Sequence, residues 1–258
     1  EGNYTYTPGP GFTGADNFVV AVTDTGFHIN LLEPNRPAST TASVAVTRGA
    51  LAPMLRFQFI YGAGSQYWST DARSALEAAA AHLASYFVAD SPVVLTYTVS
   101  GMYSPLSATL ATAGSDFVDP GSGFMRTVVQ KKIQTGVDGN GSAADGNIEW
   151  NFGPSWGFGN TVSANRYDFQ STATHELLHT FGFLSYAESA GKNTDTIWTV
   201  FDSYLVNSAG KKVISSDYKW NSAYNPNLTG GNGGLYFGGP NAIAAYGGPV
   251  PLYTPSPW

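Results

Sequence analysis

The stretch Ala173-Thr174-His175-Glu176-Leu177-Leu178-His179-Thr180-Phe181-Gly182-Phe183 decides how this chain is read. A helix turns once in about 3.6 residues, so His175 and His179, four apart, project from one face and can reach a single metal ion. Glu176 then falls beside that ion rather than on it, placed to take a proton from a metal-bound water. Leu177, Leu178, Phe181 and Phe183 are apolar, as suits a helix whose other side is buried. No Gly or Pro interrupts the run before Gly182, a residue able to end the helix. The chain holds four His, and two of them fall here.

This spacing predicts a zinc site with His175 and His179 as metal ligands and Glu176 as the catalytic general base. The expected reaction is hydrolysis of a peptide bond by metal-activated water. A catalytic zinc usually takes three protein ligands and one water. The sixth position after His179 is Ser185, a poor ligand. Glu188 is too close in sequence to fold back easily, and Asp195, Asp202 and Asp217 are the other downstream carboxylates. Asp202, within Trp198-Thr199-Val200-Phe201-Asp202-Ser203-Tyr204-Leu205, is the in-chain fallback, with a structural hydrogen bond as its competing role. His28 and His82 lie upstream without motif support.

Composition narrows the class. Length of 258 residues allows one large domain, or a medium domain with a smaller piece. Charged residues make up 12%, against about 25% in an average chain, and Ser, Thr, Asn, Gly and Tyr supply the polarity instead. Net charge is −6, and the adjacent basic pairs Lys131-Lys132 and Lys211-Lys212 make no patch, so nucleic acid is not an expected partner. There is no Cys, which excludes disulfides, thiolate zinc ligands and thiol catalysis. No apolar run is long enough to span a membrane, and Glu1-Gly2-Asn3-Tyr4 does not read as the start of a signal peptide.

Along the chain, Tyr4–Thr7, Phe18–Val22 and Ala42–Thr47 read as short strands. A second unit starts near Leu51, giving expected domains at 1–49 and 50–258. Met54–Tyr61 reads as a strand. A helix is expected from Asp71 to about Val88, capped by Ser69 or Thr70. Val93–Val99 is a β-branched strand, and Phe124–Gln134 is expected to be helical. The loop Gly136–Gly146 gathers Asp138, Asn140, Ser142 and Asp145 as oxygen donors, a possible calcium site without the spacing of an EF-hand. Ile148–Phe152 reads as a strand, and as the exposed edge along which an extended peptide could add itself. Asp168 or Ser171 can cap the metal helix. From Tyr218 onward loops with short strands are expected. The whole reads as α+β, a mixed sheet with the metal helix and a short all-β piece at the N-terminus.

Two resemblances add to this. Tyr4-Thr5-Tyr6-Thr7-Pro8, Gly11-Phe12-Thr13-Gly14-Ala15-Asp16-Asn17-Phe18 and Val22-Thr23-Asp24 resemble the tail of bacterial cadherin-like or Ig-like tandem repeats. Asp145–Gly153, Tyr167–Ser185 and Phe201–Leu205 are similar to secreted bacterial zinc metalloproteases of the metzincin and leishmanolysin-like group. So are Gly234–Phe237, Gly239–Ala242 and Val250–Pro255. The resemblance implies a zincin-like fold for 50–258 and an extracellular or cell-surface location. It also implies a protein or peptide substrate, and a place in a longer multidomain surface protein. In such proteins a Ser-His-Leu-Asp-type motif follows the Pro-rich stretch and carries the third ligand. This chain stops at Pro255-Ser256-Pro257-Trp258, so the resemblance places that ligand beyond Trp258, in a domain truncated at its C-terminus. No Met follows His179, so no Met-turn is expected.

Two other readings compete. Gly153-Pro154-Ser155-Trp156-Gly157 fits G-x-S-x-G, but a nucleophile elbow needs a helix after the Ser, and Trp156-Gly157-Phe158-Gly159-Asn160 should not start one. Alternatively, the chain is a non-catalytic adhesion or carbohydrate-binding module, whose Trp150, Trp156, Trp198 and Trp220 could stack on sugars.

Overall fold

The computed structural model describes residues 15–23, 39–47, 54–87, 91–118 and 121–254. The chain divides into two compact units, residues 1–53 and 54–258. In the first, strands β1 (Ala15–Thr23) and β2 (Ser39–Thr47) pair antiparallel, Ala15 opposite Thr47 and Thr23 opposite Ser39. The expected Tyr4–Thr7 strand and His28 lie outside the described residues.

The second unit is mixed α+β. In chain order it runs β3 (Leu55–Tyr61), α1 (Thr70–Ala84), β4 (Val93–Met102), β5 (Ala111–Gly114), β6 (Phe117–Val118), β7 (Gly123–Thr127), α2 (Val128–Thr135) and β8 (Gly146–Asn151). Then come β9 (Trp156–Gly157), β10 (Tyr167–Asp168), α3 (Phe169–Thr180), β11 (Ile197–Thr199), β12 (Leu205–Val206), β13 (Tyr236–Phe237), α4 (Pro240–Tyr246) and β14 (Val250–Pro251).

The main sheet has the order β3-β4-β8-β5, with the first three strands parallel and β5 antiparallel to β8. Period-two alternation sends Leu95, Tyr97, Val99, Ile148 and Trp150 to a buried face. Helices α1 and α3 pack against each other, and their buried residues join that face in one core. Along α1 the buried stripe is Ala72, Ala75, Leu76, Ala79, Ala80 and Leu83, whose small side chains let α3 approach closely. Ser69 caps α1, its side chain accepting from Ala72 N–H. A second core gathers Trp198, Leu205, Val213, Ile214, Trp220, Leu228 and Leu235 in the irregular C-terminal part.

Three expectations are corrected. Residues 124–134 are not one helix. Phe124, Met125 and Arg126 lie in β7, parallel to β11, and the helix begins only at Val128. The switch is set by Thr127, whose hydroxyl accepts from Gln130 N–H while the Gln130 carboxamide accepts from Thr127 N–H, a capping box that fixes the first turn. The strand containing Ile148 and Trp150 is not an edge, because β4 flanks it on one side and β5 on the other. The edge is β5. The C-terminal part also contains α4, with Pro240 at its start and Gly247 in the left-handed conformation at its end.

Candidate metal centre

Helix α3 is fixed at both ends by local chemistry. Asp168 caps it, one carboxylate oxygen accepting from Gln170 N–H (3.0 Å) and Ser171 N–H (3.2 Å). At the other end Gly182 takes φ +87°, Gly182 N–H bonds to His179 O, and Phe183 N–H bonds to Leu178 O. These two bonds make a Schellman turn. A Cβ on Gly182 would overlap the Gln130 carboxamide, so glycine is required there by both backbone angle and space.

Between the caps, Phe169, Ala173, Leu177 and Thr180 are buried. Thr180 anchors the last turn to two other elements. Its hydroxyl donates to Leu177 O (2.7 Å), so the buried Tyr97 phenol donates to it (2.6 Å). Thr127 Oγ1 donates to Thr180 O (2.8 Å). Sheet, α2 and metal helix thus share one buried chain of hydroxyls, and burial pushes the Tyr97 phenol well above its ordinary pKa.

The Schellman turn has a direct effect on His179. It brings Phe183 O to 2.8 Å from His179 Nδ1. A carbonyl can only accept, so Nδ1 carries the hydrogen and the neutral ring keeps its lone pair on Nε2. That Nε2 lies 3.0 Å from His175 Nε2, with the two rings nearly perpendicular at 84°. Two zinc–nitrogen bonds of about 2.0–2.1 Å at a tetrahedral angle would separate the nitrogens by roughly 3.3 Å. The pair therefore fits two positions of one zinc shell with a small adjustment.

Glu176 lies on the same helix, 8% exposed, beside Ala113 of strand β5, against which α3 packs. Burial pushes its carboxyl above the usual range, an effect opposed by His179, His175 and the Ala113 amide. The edge strand β5 and helix α3 therefore meet at Glu176. Neither the Phe183 carbonyl nor the Ala113 amide was foreseen from sequence. The spacing His179-x-x-Gly182 signals the first, whereas nothing in the sequence near Ala113 signals the second.

The structure gives the other candidates structural partners. Asp202 is fully buried and accepts from Ser185 Oγ (2.5 Å), Tyr186 N–H (3.0 Å), Thr199 N–H (2.9 Å) and Thr199 Oγ1 (3.0 Å). Its carboxylate is thus engaged on both oxygens by the loop that follows α3, so the fallback role as third ligand would have to share or displace these bonds. The same bond occupies Ser185. Asp217 is engaged by Ser215 and Lys219. Glu188 and Asp195 line a separate cavity of about 370 Å³ with Lys192 and Trp198. His82 pairs with the Tyr86 hydroxyl at 3.2 Å. Among the described residues no group of three His, Cys, Asp or Glu side chains is assembled to hold a metal.

In the Gly136–Gly146 loop two of the four expected oxygen donors, Asp138 and Asp145, converge on the Lys132 ammonium. Lys132 Nζ sits 3.1 Å from Asp138 and 2.9 Å from the buried Asp145, which also accepts from Thr96 N–H. Calcium binding there would have to displace this ammonium. The Gly153–Gly157 segment passes through bends into β9, with no helix behind Ser155. Among the described residues no helix is long and apolar enough to cross a membrane. Comparison with protein-family models, with curated proteins and with solved structures returned no match.

Proposed function

We propose that this chain is a zinc-dependent endopeptidase of the zincin type, acting outside the cell on protein or peptide substrates. The observation that carries the proposal is the convergence of His175 Nε2 and His179 Nε2 at 3.0 Å, with the Glu176 carboxylate on the same helix where that helix packs against β5. Zinc held by these two imidazoles would supply a polarised water whose pKa approaches neutrality. Glu176 takes the proton from that water and returns it to the leaving amine. Burial of its carboxyl strengthens it as a base.

The edge strand supplies the substrate platform. Among the described residues strand β5 pairs with β8 alone, and its other edge would take an extended peptide as an added strand. Because Ala113 already lies beside Glu176, a peptide laid on that edge passes the general base. The test is cleavage of an unfolded protein such as casein by the chain loaded with zinc, beside its Glu176→Gln variant. Turnover that falls at least a hundredfold on this substitution supports the proposal. Casein bound but left uncut by both proteins would make the chain a binding module instead.

A further inference from the structure

The face of the main sheet opposite the helices carries a hollow of about 350 Å³, lined in part by Gly62, Thr98, Ser100, Thr112, Asn147 and Glu149. Its polar groups are hydroxyl, amide and carboxylate, beside apolar Ala63, Val99 and Ile148, and Glu149 is the one charged residue among those that line it. Glu149 is exposed and forms no ion pair with any described residue. Thr112 lies directly opposite Glu149 in the β5–β8 ladder, on the edge strand against which α3, the helix of Glu176, packs.

We propose that this hollow selects a lysine or arginine side chain of the substrate, at the residue that pairs with Thr112. The inference rests on the peptide-hydrolase reading above. Successive residues of an added strand point to opposite faces of the sheet, so the residue across from Thr112 shares the face of Thr112 and Glu149. Neighbouring strands lie about 4.8 Å apart, which places that residue about 10 Å from Glu149, across the short Thr112 side chain. The long stem of a Lys or Arg crosses this gap and sets its cation beside the carboxylate, with the Thr98, Ser100 and Thr112 hydroxyls around it. The flanking substrate residues face the other way, where Ala111 and Ala113 pack against the core. Selection for charge is therefore confined to one position in the register. The net charge of −6 acts in the same direction at long range.

The experiment is fluorescence anisotropy on the 258-residue chain carrying Glu176→Gln, with and without zinc. The probes are labelled octapeptides of Ala and Thr in which a single Arg, or its neutral analogue citrulline, is moved through every position. The inference predicts that Arg binds about fivefold tighter than citrulline at one position. The preference should fade between roughly 0.05 M and roughly 0.5 M salt. Glu149→Gln should abolish it, and Glu149→Lys should replace it with a preference for Glu over Gln at the same position. An Arg preference that survives Glu149→Gln, or peptides that bind with no charge preference, would overturn the inference and leave the hydrolase reading standing. Failure of every peptide to bind, together with failure of the Glu176-containing chain to cut any of them, would overturn both.

Discussion

Replacing Gly182 with Ala tests whether the turn after the metal helix positions the site. Two costs can be worked from the structure. Gly182 sits at φ +87°, where an L-residue with a Cβ is disfavoured by about 1–2 kcal/mol. The new methyl also overlaps the Gln130 carboxamide, which cannot swing away freely because its oxygen accepts from Thr127 N–H at 2.9 Å. Overpacking of this kind costs about 1–3 kcal/mol. The sum is about 2–5 kcal/mol, read as a lowered midpoint in urea denaturation followed by tryptophan fluorescence. The overlap can be separated from the backbone strain by a double-mutant cycle. Gln130→Ala removes the obstacle, so Gly182→Ala should cost about 1 kcal/mol or more less in that background. The same turn holds Phe183 O on His179, so zinc affinity should fall about tenfold or more. A loss of stability under about 0.5 kcal/mol, or a cycle with no coupling, would refute the account of this turn.

Other outcomes follow from the buried polar groups. Asp202→Asn turns an amide group toward backbone and hydroxyl donors at a fully buried position, and should cost about 2–4 kcal/mol in thermal or urea unfolding. Thr180→Val removes the acceptor of the buried Tyr97 phenol and should cost about 1–3 kcal/mol by the same measurement. Lys132→Met strands the buried Asp145 carboxylate and should destabilise by about 3 kcal/mol. The Asp138 carboxyl is held below its usual range, first by Asn140 N–H and then by Lys132. A depressed folded-state pKa gives stability that is present above the unfolded value of 3.8 and is lost as pH falls below it. The difference in stability between the native chain and an Asp138→Asn variant should therefore shrink across that acid window, as followed by pH-dependent denaturation.

The site was more legible in the sequence than the sheet around it. The four-residue His spacing, the Asp168 cap and Gly182 all act through local helix geometry, which depends only on residues near in sequence. So does the capping box of Thr127 and Gln130, a readable Thr-x-x-Gln signal that the expectation of a helix through 124–134 passed over. Pro240 and Gly247 likewise bracket α4 in plain view. Strand order was of another kind. Ala111-Thr112-Ala113-Gly114 is a weak strand by propensity, and it becomes one because β8 offers it a ladder and α3 a surface. With β5 unrecognised, the next strand in the chain was taken for the edge. The fate of Asp202 shows the same limit. Its residue type suits a ligand, and only the folded loop reveals that Ser185, Tyr186 and Thr199 have used both its oxygens.

The central claim is that His175 and His179 hold one zinc ion beside Glu176, and calorimetric titration of the metal-free chain with zinc tests it most directly. The account predicts one zinc per chain, lost in both His175→Ala and His179→Ala and kept in Glu176→Gln. Absence of stoichiometric binding, or binding that survives removal of either imidazole, would contradict it.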